Sequence, residues 1–256
     1  MLYTGLTTVT FRELDPDAII KVAKEAGLDA IEWGGDVHVP PDNLKHARDI
    51  RKRTEAAGLS VCSYGSYYRC DTEAGDFGLV LATAETLGAP VIRVWAGRKV
   101  NSETADPAYR EEVVDTLRKA VLAAREKNIN IALEYHGGTF TDTRQSAHQL
   151  LQEVGLPELK LYWQPRTGGS FDNDIVELEA AIPHLSHVHA FHWVVAEDGS
   201  IDRRPFKEGK DEWREFLKRI RKAEGDRHII FEFVREAKPE QLLEDAKVLH
   251  ELLADQ

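Results

Sequence analysis

Eight short β-forming runs, each followed by a helical segment, predict an α/β chain folded as a closed (β/α)8 barrel. Two further observations agree with it. The length, 256 residues, is about what such a barrel takes, and no shift in composition marks a linker, so one domain is expected over residues 1–256. A doubly wound open sheet is the alternative. It calls for fewer units, or for a Gly-rich phosphate fingerprint after the first run, and GLTTVTF is not one.

The first run covers residues 3–8. Asp15-Pro16 then reads as an N-cap with proline at the first helical position, and Ile19, Ile20 and Val22 form an apolar stripe that stops at Gly27. Run two, 29–33, enters the loop GGDVHVPP, and a helix over 43–57 ends at Gly58. Run three is 59–64, a helix over 77–87 ends at Gly88, and run four is 91–95. Asp106-Pro107 opens a long helix to about residue 127, with Val113, Val114, Leu117 and Val121 at helical spacing. Run five, 129–134, precedes a helix over 144–154, and run six, 159–164, precedes one over 175–181. Run seven, 187–192, is followed by a charged, Gly-containing loop, AEDGSIDRRPFKEGKDE, and a helix over 213–223. Run eight is 228–234, and the last helix is 239–254.

Composition narrows the function classes. A hydrophobic fraction of 42% with 30% charged residues describes an ordinary globular chain, and the net charge of −11 opposes a nucleic-acid backbone or anionic membrane as partner. No apolar run reaches about 18 residues, and MLYTGLTTVTF lacks the basic and apolar regions of a secretory signal, so a cytoplasmic protein is expected. Cys62 and Cys70 match no metal pattern and are expected as free thiols. A homo-oligomer is left open.

In a (β/α)8 barrel, chemistry gathers at the C-terminal ends of the strands. The second run ends in Glu32 and Trp33, with Asp36 and His38 just beyond; the fourth ends in Arg93, Trp95 and Arg98. Glu134 and His136 close the fifth run, where IALEYHGGTFTDT delivers a carboxylate and an imidazole into a Gly-rich loop. An edge-strand carboxylate and a loop histidine are the plainer interpretation there. Gln164 and Arg166 follow run six, and His189, His192 and Trp193 come from run seven. Glu232 is the sharpest signal: flanked by Ile229, Ile230, Phe231 and Phe233, it is a carboxylate whose burial costs several kcal/mol unless it is paired or metal-bound. A salt bridge to a neighbouring arginine is the structural alternative. In HVHAFHW, residues 187 and 189 share one face and His192 takes the other. Two carboxylates, one histidine and one further oxygen ligand from successive strand ends form a mixed N/O set, suited to Mn²⁺, Mg²⁺, Co²⁺ or Zn²⁺. Trp33, Trp95 and Trp193 offer flat faces on which a sugar ring could stack, or simply pack at strand ends.

The motifs EWGGDVH, ALEYHGG, HVHAFHW with RRPFKEG, and FEF make the chain resemble the sugar-phosphate isomerase/epimerase family of xylose-isomerase-like TIM barrels, the ketose 3-epimerases among them. The resemblance runs over nearly the whole length. It implies a divalent metal held by Glu134, Gln164, His189 and Glu232, with the two glutamates as the acid/base pair on either face of a ketose. It also implies that Arg203 contacts substrate oxygens; His38, Trp95 and His136, by their own places at the strand ends, are expected as substrate-contacting residues. The family carries a carboxylate where this chain has Gln164, and a histidine where it has Thr167. Glutamine removes one negative charge from the ligand set, while Arg166 adds a cation suited to a substrate carboxylate or phosphate. The expected activity is isomerisation or epimerisation of a sugar or keto-sugar, by proton abstraction next to a metal-polarised carbonyl. The alternatives are a lyase or hydrolase acting on keto-glycosides through the same site, and a non-catalytic sugar-binding protein whose metal site has degenerated. Phosphodiester cleavage ranks below these, because it needs more His and Asp ligands than the strand ends supply.

Overall fold

The computed structural model of the protein describes residues 1–255. Eight parallel strands close into a barrel: β1 (Leu2–Thr7), β2 (Ala30–Gly34), β3 (Ser60–Gly65), β4 (Val91–Val94), β5 (Asn130–Glu134), β6 (Leu159–Trp163), β7 (Leu185–Ala190) and, after a hairpin, β10 (Arg227–Phe231). Their order around the barrel is β1-β10-β7-β6-β5-β4-β3-β2. The helices between them are α1 (Pro16–Glu25), α2 (Leu44–Ala56), α3 (Phe77–Leu87), α4 (Pro107–Arg125), α5 (Arg144–Val154), α6 (Phe171–Ala181) and α7 (Lys210–Ile220), with α8 (Pro239–Ala254) last. The (β/α)8 barrel expected from the sequence is therefore the fold.

Local chemistry sets the boundaries. Asp15 and Asp106 cap α1 and α4, accepting from the backbone N–H groups of Ala18 and Ala108 at 2.9 Å, with proline following each cap. Gly88 ends α3 at φ +71°, a conformation that a residue with a β-carbon adopts only under strain. The stripe on α1 is buried as expected: Ile19, Ile20 and Val22 all face inward.

Two differences from the sequence expectation matter. The loop after β7 holds a short antiparallel hairpin, β8 (Trp193–Val195) paired with β9 (Ile201–Arg203), where a plain loop was expected. Its turn, Asp198-Gly199-Ser200, is pinned by the Asp198 carboxylate accepting from both Ser200 N and Ser200 Oγ. Helix α6 also starts earlier than the expected 175, because Ser170 caps it through the Asn173 N–H.

By packing, the chain forms two compact units. One comprises Met1–Glu32, Arg53–Ser60 and Trp163–Gln256; the other comprises Trp33–Lys52 and Val61–Tyr162. In the first, β1 pairs with both β10 and β2, and β10 pairs with β7; Ile230 lies opposite His189, and Thr7 opposite Glu32. In the second, β4 and β5 pair through four registered positions, Val91 to Val94, and Glu134 lies opposite Tyr162 of β6. Both cysteines are buried, free thiols. Among the described residues, no helix is long and apolar enough to cross a membrane.

Candidate active site

In the second unit, Glu134 is the last residue of β5 and is buried. Burial of a carboxylate demands a countercharge. Arg93, on the adjacent β4 and only 2% exposed, supplies it: its Nη1 donates to Glu134 Oε2. The Trp95 indole N–H donates to the same oxygen. The loop beyond is fastened by hydroxyls, with Thr141 Oγ1 donating to the Glu134 carbonyl and Thr139 Oγ1 to that of His136. His136 lies against Trp95, ring centroids 4.6 Å apart at 36°, and Tyr67 meets the same indole edge-on at 5.3 Å. His38 is buried against Trp33 (6.2 Å between centroids), and its carbonyl accepts from His46 Nε2 at 2.8 Å. Trp33 itself is fully buried, so it is no exposed platform for a sugar; Trp95 and Trp193 are part-exposed.

In the first unit, His189 is the centre. It is fully buried on β7. Its Nδ1 lies 3.1 Å from Gln164 Oε1 and 3.4 Å from Glu232 Oε2, and its Nε2 lies 3.3 Å from Glu32 Oε1. Glu32 also accepts from Thr7 Oγ1 at 2.9 Å, so its carboxylate is oriented before it meets the imidazole. Glu232 follows β10, its N–H donating to the Ala190 carbonyl at 3.0 Å. The next residue, Phe233, takes a left-handed backbone at φ 55°, a strained conformation for an aromatic residue, and its N–H is held by Thr10 Oγ1 at 3.2 Å. Arg203, at the end of β9, stacks its guanidinium on Phe233 at 4.3 Å. Burial lowers its pKa, and the Glu232 charge pulls partly the other way. An open cleft of about 500 Å³ lies here, lined by Trp193, Ile201, Asp202, Arg203, Arg235 and Glu236. Arg166 takes a different place: its Nη2 donates to Glu177 of α6 at 2.7 Å, and its backbone N–H donates to Asp174.

The donor chemistry can be tested against a metal. A neutral imidazole carries one N–H, yet both nitrogens of His189 face oxygen atoms. Whichever nitrogen lacks the proton confronts acceptors; a cation among those oxygens, a second proton or, at Nδ1, a turned Gln164 amide resolves the conflict. Glu134, His189 and Glu232, all buried, each offer a ligand atom, and these lie within 4.8 Å of one another: a group that could hold a metal ion. The donors are all N and O, as Mg²⁺, Mn²⁺, Co²⁺ and Zn²⁺ accept. The residues fit the ion.

Two residues that matter here had no role assigned to them from sequence, Glu32 and Arg93. Both carry the signal that marks Glu232, a charge inside an apolar run, in AIEW and VIRV.

Residues 20–252 match the family described as the xylose isomerase-like TIM barrel, and the chain belongs to it. A 3-dehydroshikimate dehydratase of Bacillus anthracis is 26% identical over 170 residues, covering 61% of this chain and 59% of that protein; the chain thus spans less than two thirds of this relative's length. Among solved structures, a probable 3-DHS dehydratase of Bacillus anthracis involved in petrobactin synthesis superposes with a TM-score of 0.80 at 21% identity, over 97% of this chain and 98% of that one. A xylose isomerase-like TIM barrel protein from Mycobacterium smegmatis in complex with magnesium gives 0.78 at 14% identity, over 99% and 97%. A D-psicose 3-epimerase from Clostridium cellulolyticum H10, with D-tagatose, gives 0.72 at 15%, over 98% of each chain. The relatives whose names state an activity are enzymes, dehydratase and epimerase alike.

Proposed function

We propose that the protein is a divalent-metal-dependent enzyme that removes a proton next to the carbonyl of a polyhydroxylated keto compound and so isomerises or epimerises it. The observation that carries this is the buried Glu134, His189 and Glu232 group. Gln164, 3.1 Å from His189, completes the ligand set as a neutral oxygen donor. A divalent ion held there would polarise a substrate carbonyl or hydroxyl oxygen and so acidify the adjacent C–H. Glu232 takes that proton, and Glu134, tied to Arg93 and Trp95, fixes the opposite side of the substrate and exchanges a proton there. Trp95, His136, His38 and Arg203 are the substrate-contacting residues in this reading, with Arg166 tied to Glu177.

Replacing the Glu232 carboxylate by an amide tests the reading. Glu232→Gln is expected to lower kcat by about 10²–10⁴-fold on any ketose that the wild type converts, with the fold retained by circular dichroism. Turnover at the wild-type rate would overturn it.

The 26% identity to a 3-dehydroshikimate dehydratase favours a second outcome from the same first step. After the C–H bond breaks and Glu232 holds the proton, the C–O bond to the β-hydroxyl breaks. A carbon–carbon double bond forms, and the departing hydroxide takes up a proton as water. Product analysis separates the two, since epimerisation conserves the substrate's mass and dehydration does not.

A further inference from the structure

Arg69 stands out among the cations near Glu134. It lies in the segment after β3, part-buried, with its guanidinium carbon 4.2 Å above the centre of the Trp95 ring. Trp95 is the residue whose indole N–H donates to Glu134, so one side chain carries both the cation and the carboxylate. Among the described residues, the Arg69 side chain has no hydrogen-bond or salt-bridge partner. Its neighbours are all engaged: Arg93 with Glu134, Arg98 with Asp71 at 2.6 and 2.7 Å and with Glu73 at 3.3 Å. Asp71, the carboxylate that acts most directly on Arg69, also accepts from Tyr109 Oη at 2.9 Å. It has no oxygen left uncommitted.

The backbone is built to hold this cation in place. Tyr67 and Cys70, on either side of Arg69, adopt left-handed backbones at φ 58° and 55°. Such conformations cost of order 1 kcal/mol or more each, and they persist where surrounding structure enforces them. Here the enforcement is visible: Trp95 N donates to the Tyr68 carbonyl at 2.8 Å and Gly97 N to that of Arg69 at 2.6 Å, lacing the segment to the end of β4. Desolvation and the Arg98 charge both disfavour the cation, which lowers the Arg69 pKa. A rigid, part-desolvated guanidinium with its donors unused is a receptor for a planar or tetrahedral oxyanion.

We propose that Arg69, laid on Trp95, is an anion-binding subsite that takes a carboxylate or phosphate carried by the substrate. The proposal rests on the reading that Glu134 belongs to the reaction site, and it deepens that reading: the substrate is an anionic polyhydroxy keto compound, not a neutral sugar. Arg166, the cation expected for that purpose, is answered by Glu177.

The test is a titration of the full-length protein with sodium acetate, inorganic phosphate and, as neutral control, acetamide. It follows the Trp95 indole N–H and Arg69 Nε–H by nuclear magnetic resonance, with the arginine signal identified by its loss in Arg69→Met. Saturable shifts with acetate or phosphate and none with acetamide are expected. The Trp95 response should weaken about 10–100-fold in Arg69→Met, with partial recovery in Arg69→Lys. Saturation by acetate alone identifies a carboxylate substrate, and by phosphate alone a phosphorylated one. Absence of a saturable shift with either anion, or binding unaltered in Arg69→Met, overturns the proposal. Glu232→Gln separates the two ideas: it should still bind the anion while losing turnover, so a failure of the catalytic reading leaves the titration interpretable.

Discussion

In one unit of the protein Glu134 meets two donors on a single oxygen, Arg93 and Trp95; in the other Glu232 faces the ring of His189 and stands in the field of Arg203. Arg93 is buried with Glu134, so the two form a matched ion pair that neither can leave cheaply. Glu232 sits on a backbone bent by the left-handed Phe233, a conformation found where function places a side chain against local preference. The pair of glutamates is thus unequal. Glu134 is held by a guanidinium and an indole, and Glu232 lies against the imidazole of His189.

Mutation can break this comparison. The largest stability effect belongs to Glu134→Gln, which removes the charge of the buried carboxylate that Arg93 donates to. Thermal or denaturant unfolding should show a loss of about 3–5 kcal/mol, against a much smaller change for Glu232→Gln. Equal losses would show that the two carboxylates are held alike. Next comes Glu32, whose carboxylate positions His189. Glu32→Gln should weaken divalent-metal affinity about 10–100-fold by calorimetric titration, without touching any atom proposed to meet substrate. Unchanged affinity would remove Glu32 from the account.

The smallest effect lies far from the site, at the start of β10. His228 is part-buried beside Tyr3 and His187, its Nδ1 without a hydrogen-bond partner, and desolvation first, then the His187 charge, pushes its pKa down to about 3. A histidine depressed in the folded state binds its proton more readily when unfolded. It therefore stabilises fully above about pH 6.5, and that stability is lost progressively as pH falls towards 3. By pH 5.5 the loss is about 1.4 kcal/mol, and His228→Phe should flatten that part of the stability–pH curve. An unaltered slope would place the acid sensitivity elsewhere.

The fold was legible because its cues are local. Apolar runs, Asp-Pro caps and terminal glycines each act within one element, and eight repetitions of the pattern admit few architectures. Glu232 was legible for the same reason, as a charge among isoleucines and phenylalanines. The rest depends on contacts between distant positions. Glu32 and His189 are separated by 157 residues, and Arg93 and Glu134 by 41. Arg93 pairs with Glu134, a match that only the fold reveals, and the cation expected at residue 166 is matched by Glu177. Arg69 gave no signal, since an arginine in a loop reads as solvated until its neighbours are seen to be taken. The hairpin β8–β9 was hidden by a sequence rich in charge, in which three-residue strands leave no alternation to detect.

The central claim is that Glu232 moves a proton between the substrate's carbon and solvent. The most direct measurement is deuterium incorporation. Metal-loaded protein is incubated in heavy water with D-psicose and with 3-dehydroshikimate, and the carbon next to the carbonyl is followed by nuclear magnetic resonance. Wild type should wash deuterium into that position of a ketose it epimerises, or lose the hydrogen from it on a substrate it dehydrates, and Glu232→Gln should do neither. Conversion with the original hydrogen retained, or exchange that proceeds at the same rate in Glu232→Gln, would contradict the account.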